Sequence, residues 1–547
     1  MTTPAHSSST LKYKVFIPCA GTGSRLGSKT RFLNKALVTV GLKPAISRLI
    51  EKISPEIPIV IALGYGGNTL RDVLALGYPN HAFEFVTVDP FEGSGSGLGF
   101  TLLAAREHLQ TPFVFCACDT LFTGTVPPPD RGWVAYASLP SGRSLNEFRC
   151  LTLQNRETTY AIDLTEKGQH RDGSVPYVGM AGIPDYVEFW NELSAGGSQA
   201  VEIGESYALE RLLKTRNYAA VNIDDWCDTG SLSGLIQANQ RFLPEEKATV
   251  LEKENEAIWF IGNQVIKFSD DVRFISQRVD RAHTLQGFVP TITGSGRNVY
   301  AYEKANGTIL SEGISVAEFG EFLNWLESFW KTQILRADEP ASFRQACDRF
   351  YRDKTFERVK LFHEKFGPFA QGEGNINGRD YATTEAILKR TPWHQLSNGT
   401  PVRLHGDLHF ENVLRVGGDR KFMLLDWRQN FSGILEYGDL YYDLAKLNHG
   451  LIVNHGLIAL DRYEVRTEGN SICFEFERLS VLIECEEFLY SYLARTGRLV
   501  EKTRIVTALI FLNIAALHHE PYARLLYCLG KTMLSDAIDR QTGTETR

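Results

Sequence analysis

RLHGDLHFENVLRVGGDRKFMLLDW, residues 403 to 427, is the stretch on which the reading of this chain turns. It carries His405, Gly406 and Asp407, then Asn412, then Asp426 at the end of an apolar run. KFMLL has the composition of a short buried strand, which would leave Asp426 at a strand end facing a cleft. Phosphoryl transfer asks for three groups of this kind. One carboxylate orients an attacking hydroxyl and accepts its proton, while a second carboxylate and a carbonyl oxygen hold Mg²⁺ on the phosphates of ATP. Asp407, Asp426 and Asn412 supply them. The competing reading is a polar loop without catalysis, and it is disfavoured because three ligand-type residues at motif spacing seldom arise by chance.

The step from Asp407 to Asn412 resembles the catalytic loop of protein kinases, with Gly406 in place of the arginine. HGDLHFENVL followed by LLDW resembles the aminoglycoside phosphotransferase and choline kinase-like family of small-molecule kinases. The resemblance implies a protein-kinase-like α+β domain of two lobes, with Asp407 catalytic and Asn412 and Asp426 on Mg²⁺. It also implies ATP as donor and a small alcohol or sugar as acceptor. Upstream, AIWFIGNQVIKFSD reads as a β-hairpin turning at Gly262-Asn263. Lys267, in the alternating VIKF, resembles the kinase lysine that holds the α- and β-phosphates. No glutamate follows it at the expected distance; Asp280 is the candidate partner, and a solvated helix face is the alternative. NVYAYEKANGTIL (298 to 310) looks like the inter-lobe hinge, where main-chain groups of Tyr302 to Lys304, Glu303 among them, would read the adenine. Residues 316 to 330 and 343 to 366 show helical spacing, and their aromatic residues read as core. Asp439 and Asp443 read as structural, being on a helix. Glu484, Glu486, Glu487, His518 and His519 either line an acceptor pocket or face solvent.

In the N-terminal half, KYKVFIP (12 to 18) is a strand running into CAGTGSRLGSKTRFLNKALVTVGLKP (19 to 44). A strand, a Gly-rich turn and a helix in succession suggest backbone amides cradling phosphates. Gly21 and Gly23 would let the chain approach a nucleotide closely. A dinucleotide-binding turn is the competitor, but the third glycine falls at the wrong place, and Arg25 and Lys35 follow. The pattern Gly21-x-Gly23-x-Arg25 … Lys35-Ala-Leu-Val … Lys43-Pro44 resembles the sugar-phosphate nucleotidylyltransferase family, of the bacterial phosphocholine cytidylyltransferase or sugar-1-phosphate type. Asn34 stands where that family has proline.

That resemblance implies a Rossmann-like α/β domain with a mixed sheet. It implies Gly21, Gly23 and Arg25 on the triphosphate and Lys35, also catalytic with Arg25, by the α-phosphate. Ser94, Gly95 and Ser96 would embrace base and ribose, although a Gly/Ser run reads equally as a plain loop. Asp119, after an apolar strand, and Asp228, in the Trp226-Cys-Asp228-Thr-Gly230 signature, would be the metal carboxylates. Asp224 and Asp225 are the nearest alternatives to Asp228, and a helix N-cap is its bland reading. Lys167, in a Glu-Lys pair, would contact the acceptor phosphate.

Length and composition bound the rest. A chain of 547 residues holds about three domain-sized units. A net charge of −7 gives no footprint for nucleic acid. No apolar run is long enough to span a bilayer, and the first residues lack the apolar core of a signal peptide. Nine scattered cysteines, Cys116 and Cys118 the closest pair, read as buried thiols, so a cytoplasmic location is expected. The domains expected are a disordered lead to residue 11, a nucleotidylyltransferase domain over 12–245, a charged linker over 246–256 that few contacts cross, and a kinase-like domain over 257–547. Its small lobe would end near 305.

Two sites on one chain fit one reaction sequence. A small alcohol or sugar is phosphorylated, then coupled to a nucleoside triphosphate, CTP or UTP favoured, with release of pyrophosphate. Such activated donors feed surface polysaccharide or lipid-head-group synthesis. The alternatives are an antibiotic-modifying kinase fused to an unrelated transferase, and a degenerate small-molecule-binding regulator.

Overall fold

The computed structural model describes residues 12–223, 225–243, 254–367, 374–417, 421–469 and 471–545. The lead to residue 11, positions 246–253 of the charged segment and Asp224 lie outside the described residues. The fold is mixed α/β, and the chain forms two compact units: residues up to Ile275 with Ile292–Glu303, and Ser276–Thr291 with Lys304 onward.

The first unit is built on strands β1 (Lys14–Cys19), β2 (Ile59–Leu63), β3 (Phe83–Thr87), β4 (Phe113–Cys116), β5 (Trp133–Tyr136), β6 (Cys150–Gln154), β7 (Tyr160–Thr165), β8 (Val175–Ile183) and β9 (Tyr218–Asn222). They form one nine-stranded sheet in the order β3-β2-β1-β4-β8-β5-β9-β7-β6. β3, β2, β1 and β4 run parallel, and β8 enters antiparallel beside β4. KVFIPC, IVIAL and FVFC are apolar almost without interruption because both faces of these strands are covered. Val15, Ile17, Ile59, Ile61 and Val114 point into one core, and Phe16, Val60, Ala62, Phe113 and Phe115 into the other, with the alternation of a pleated strand. Its helices include α1 (Gly67–Gly77), α2 (Leu98–Ala105), α3 (Glu205–Thr215) and α4 (Leu232–Arg241).

Strands β10 (Glu256–Ile261), β11 (Gln264–Ser269), β12 (Ile292–Ser295) and β13 (Val299–Glu303) make an antiparallel sheet in the order β10-β11-β13-β12. β10 and β11 are the hairpin expected at Gly262-Asn263. The sheet packs within the first unit. Trp259, Ile261, Ile266, Phe268, Val299 and Ala301 join the same buried cluster as Leu70, Val73 and Leu74 of α1. Trp259 is fully buried and its Nε1 donates to Thr39 Oγ1 at 3.0 Å. The compact units therefore do not divide at the charged segment.

In the second unit, α5 (Val272–Thr284, from residue 276 on) lies near a short hairpin of β14 (Val413–Arg415) and β15 (Phe422–Leu424). A helical body follows, including α6 (Lys354–Phe366), α7 (Leu440–Ile452) and α8 (Val500–Ala515). The helical stretch 343–366 is continuous, but Arg349–Asp353 is wound as a π-helix. α7 is buried along nearly its whole circumference, as befits a helix central to its unit.

Trp259→Ala should destabilise the first unit by about 3–5 kcal/mol, the usual cost of emptying such a seat. Chemical denaturation followed by far-UV circular dichroism checks it. A loss below about 1 kcal/mol would mean that the small sheet adds little to that core.

Candidate active sites

The N-terminal site grows from the exit of β1. Instead of the expected helix, Ser24–Thr30 and Lys35–Leu37 form two 3₁₀ turns, interrupted where Gly27 takes φ 57°. Gly23 has φ 68°, and a β-carbon there would lie 2.8 Å from Cβ of Lys35, so a larger residue would push the lysine aside. Asn34 explains its own presence. Fully buried, it donates to the carbonyls of Cys19 (2.7 Å) and Tyr65 (2.6 Å) and accepts from Ala36 N–H (2.9 Å). A proline could make none of these side-chain bonds. Asn34 thus ties the ends of β1 and β2 together directly before Lys35.

Lys35 reaches Asp119 Oδ2 at 3.1 Å. Burial works against the lysine's charge, but Asp119 overrides it and holds the pKa above the ordinary value. In the same way burial pushes Asp119 up, and Lys35 with Arg25 brings it below the usual carboxylate range. A two-stranded ladder pairs Thr120 with Asp228 and Leu121 with Cys227, so the chain places Asp228 beside Asp119. The point a β-carbon of Gly230 would occupy lies 2.8 Å from Asp119 Oδ2, 3.0 Å from Asp228 Oδ1 and 3.0 Å from a guanidinium nitrogen of Arg25. Two carboxylates and one cation thus converge around a residue that leaves them room. Asp228 does not cap α4; Ser231 does, accepting from Gly234 N–H. Asp228 instead accepts from Gly230 N–H at 2.9 Å and faces Arg143 at 3.4 Å. Asp225 is engaged by Arg241 and Thr123.

Lys167 is exposed, and its pKa is lowered, first by partial burial and then by Arg25 and Arg149. With Arg143 also near, four cations share this edge of the site. Arg149 and Arg143 carried no motif and were not legible in the sequence. Arg149 also holds Glu166 at 2.5 Å. Ser94, Gly95 and Ser96 lie in an exposed turn closed by Ser96 Oγ to Gly93 O, 2.7 Å. Glu205, 5% exposed, lies at the start of α3 with Oε2 lacking a hydrogen-bond partner among the described residues. Burial raises its pKa to about 7 against the pull of its own helix amides and Arg149. Eight of the nine cysteines are buried, Cys116 and Cys118 included; Cys473 is exposed.

The C-terminal site is a short loop pinned from below. Asp443, fully buried on α7, accepts from His405 N–H (2.8 Å), Gly406 N–H (2.7 Å) and Trp330 Nε1 (3.1 Å). Burial raises its pKa to about 6 against those donors. His405 Nδ1 accepts from Asp407 N–H at 3.2 Å, so Nε2 is the nitrogen that donates to Leu425 O at 2.8 Å. Burial keeps this imidazole neutral, its pKa near 3. Gly406 has φ 85°, and a β-carbon would lie 2.6 Å from Cβ of Arg428, so the arginine of the protein-kinase loop has no room here. Asp407 Oδ1 is 2.7 Å from Lys446 Nζ. Burial pushes the Asp407 carboxyl up, but Lys446 and His409 outweigh it and hold it well below its ordinary range. Asn412 Nδ2 donates to Asp407 O at 2.9 Å, which leaves its amide oxygen as the acceptor for a cation. Leu425 N–H returns to Asn412 O at 2.7 Å, setting Asp426 next to this group. Asp426 itself takes φ 57°, a left-handed conformation uncommon for aspartate and typical of functional turns. It pairs with Arg278 of α5, whose carbonyl accepts from Trp427 Nε1 at 2.9 Å.

A cavity of about 210 Å³ opens above Asp407, lined by Arg278, Lys354, Arg358, Arg428 and Lys446 among others. None of these cations was singled out by motif. Glu484, Glu487 and His519 are exposed, Glu486 is held by Arg478 and Tyr490, and His518 meets Tyr522 edge-on; none of the five lines that cavity. Asp280 is exposed on α5. In the first unit Lys267 sits on β11 between Ile258 and Tyr300, and the Glu303 side chain accepts from Asn263 at 2.7 Å.

Comparison with known proteins finds different relatives for the two halves. The model of the phosphotransferase enzyme family (APH) matches residues 290–479. The N-terminal region matches the bifunctional protein GlmU of Methanococcus aeolicus, 21% identical over 267 residues, covering 47% of this chain and 61% of the relative. GlmU of Methanococcus maripaludis is 23% identical over 255 residues, 46% of this chain and 59% of the relative. The chain thus spans about three-fifths of the curated relatives it matches. Among solved structures, a UDP-glucose pyrophosphorylase from Acinetobacter baumannii aligns over 42% of this chain and 93% of its own, at 17% identity and a TM-score of 0.36. A glucose-1-phosphate thymidylyltransferase from Bacillus anthracis aligns over 44% and 98%, at 19% identity and a TM-score of 0.35. The resemblance is to the phosphotransferase enzyme family over residues 290–479 and to GlmU in the N-terminal half.

Asn34→Ala strands two buried carbonyls, each worth about 1–3 kcal/mol when left unpaired. The variant should lower the first unit's stability by that order and weaken nucleotide binding, read by denaturation and calorimetry; unchanged values for both would remove Asn34 from the support of Lys35. Glu205 gives a pH test. Its folded pKa, about 7, lies above its unfolded value, so the stability it contributes is complete below the ordinary carboxylate range and is lost as pH rises through 7. Urea midpoints of the first unit should fall between pH 5 and pH 8 and flatten in Glu205→Gln. An equal slope in both proteins would place the pH dependence elsewhere.

Proposed function

We propose that the chain is a bifunctional transferase, a small-molecule kinase joined to a nucleotidylyltransferase. The observation that supports it best is that each unit holds its own set of groups. Asp119, Asp228, Arg25 and Lys35 gather around Gly230 and the Gly23 turn, and Asp407, Asn412 and Asp426 gather on the pinned loop.

In the C-terminal site the acceptor hydroxyl attacks the γ-phosphorus of ATP. A new O–P bond forms, the bond from the γ-phosphorus to the β-bridging oxygen breaks, and ADP leaves. Asp407, ionised and oriented by Lys446, positions the hydroxyl and takes its proton. Asn412 and Asp426 would hold Mg²⁺. In the N-terminal site a phosphate oxygen of the product attacks the α-phosphorus of a second nucleoside triphosphate, and pyrophosphate leaves. No proton moves and no protein nucleophile is needed. Arg25 and Lys35, with Gly21 and Gly23 beneath the triphosphate, stabilise the charge that builds on the α-phosphoryl oxygens. Lys167, with Arg143 and Arg149, would receive the acceptor phosphate. Ser94, Gly95 and Ser96 would face base and ribose, and CTP or UTP is the favoured nucleotide. Asp119 and Asp228 would hold Mg²⁺; their paired oxygens beside Gly230 suit a hard cation. At both sites the ion neutralises phosphate charge. The product is an activated nucleotide-diphosphate donor of the kind used in surface polysaccharide or lipid-head-group synthesis, made in the cytoplasm, with neither nucleic acid nor membrane as a partner.

Asp407→Asn keeps shape but loses the base, so acceptor phosphorylation should fall by about 10²–10⁴. Pyrophosphate release from a pre-phosphorylated acceptor should persist. Asp119→Ala and Asp228→Ala should reverse that pattern. Separate assays of ADP and pyrophosphate with each variant decide it, and loss of both activities in every variant would contradict two independent sites.

A further inference from the structure

The cavity above Asp407 has an unusual charge balance. Arg278, Lys354, Arg358, Arg428 and Lys446 line it, with Asp407 as the single lining carboxylate. Lys446 is taken up by Asp407 and Arg278 by Asp426. Among the described residues, Lys354, Arg358 and Arg428 have no carboxylate within ion-pairing distance. Arg428 is held by Asn430 O at 3.1 Å, and both Arg428 and Lys354 rest on the ring of Phe350, at 4.9 and 4.6 Å from its centroid. Phe350 belongs to the π-helical stretch that leads into α6, and Lys354 is the first residue of that helix. The cations are therefore anchored by a buried ring and a helix, not by free surface side chains. Burial, then Arg428, Lys446 and Arg358, drive the Lys354 pKa well below its usual value. Like charges held this close to one another are relieved by an anion.

We propose that the phosphoryl acceptor of this site is itself anionic, a small alcohol bearing a carboxylate, phosphate or phosphonate that Lys354, Arg358 and Arg428 bind while its hydroxyl faces Asp407. The inference rests on the kinase reading of the site and adds the acceptor's charge class. Arginine offers paired donors matched to carboxylate or phosphate oxygens, and two of the three are arginine. At about 210 Å³ the cavity suits a molecule smaller than the usual drug-sized ligand. Asn513 and Ile514 at the end of α8 and Leu517 just beyond it also line the cavity, and Lys354 and Arg358 both stand on α6, apart from the Asp426 turn. The same charge repels cationic acceptors such as aminoglycosides or choline, which counts against an antibiotic-modifying kinase.

The test uses the full chain with ATP, Mg²⁺ and matched alcohols: neutral polyols, choline, an aminoglycoside, hydroxycarboxylates, sugar phosphates and hydroxyphosphonates. Anionic alcohols should exceed neutral analogues in kcat/KM by about 100-fold, as two charge-assisted contacts imply. The carboxylate and phosphate arms show which anion fits. Arg358→Met and Lys354→Met should each raise the acceptor KM by about tenfold and leave the ATP KM unchanged, while Arg358→Lys keeps most of the preference. Circular dichroism confirms folding. Equal turnover of neutral and anionic alcohols would overturn the inference and leave the kinase standing. A raised ATP KM with the acceptor preference intact would assign these cations to the nucleotide and overturn it too. Failure to phosphorylate any alcohol while ATP still binds would remove the kinase reading itself, and this inference with it.

Discussion

A carboxylate sealed from water governs the geometry of the C-terminal site. Asp443 has no solvent contact, and burial raises its pKa to about 6. A buried carboxylate left without partners would cost several kcal/mol. It meets that cost only where the backbone N–H groups of His405 and Gly406 and the indole of Trp330 come to it. The loop conformation is therefore the one that satisfies Asp443. Three residues farther along α7, on the same helix face, Lys446 reaches Asp407. One helix thus fixes the backbone before Asp407 and the charge on it. His405, neutral and bonded at both ring nitrogens, carries the same constraint across to Leu425 and so to the turn at Asp426.

The N-terminal site solves the same problem with a neutral residue. Asn34 joins the ends of two parallel strands through two hydrogen bonds, caps its own turn with a third, and introduces no charge beside Lys35 and Asp119. Where the family pattern has proline, rigidity comes from the ring; here it comes from hydrogen bonding. The second carboxylate arrives by a different device, a two-residue ladder that brings Cys227-Asp228 alongside Thr120-Leu121.

What was legible in the sequence was local. The spacing of Asp407, Asn412 and Asp426, the apolar strands and the hairpin at Gly262 are all written within a few tens of residues, and mixed α/β architecture follows from their order. The helix expected after Gly23 was not found, because Gly27 breaks it and Asn34 opens a separate turn. Asp280 stays exposed on α5, whereas Arg278, two residues earlier, faces the Asp426 turn. The choice between them depends on which face of α5 is buried. Arg143, Arg149, Lys354 and Arg358 escaped notice for a related reason. They reach their sites through tertiary packing from distant segments, and an isolated Arg or Lys on a polar helix face looks like any solvated charge.

The packing boundary also departs from the motif boundary, and hydrophobic burial explains it. A four-stranded antiparallel sheet such as β10 to β13 has one face that must be covered to be stable. Trp259, Ile266, Phe268 and Val299 cover it against α1 and the core beneath the parallel strands. Gly77 and Gly294 allow the approach: a β-carbon on Gly77 would lie 2.8 Å from Ile261, and one on Gly294 would lie 2.4 Å from Leu76. The strand that carries Lys267 is thereby set by a core that also supports Asn34 and Lys35 through Leu33, Ala36 and Leu37. Residues that resemble one enzyme in sequence are thus folded as part of the other's compact unit. A substitution in this shared core bears on the segments that carry Lys35 and Lys267 without touching either residue.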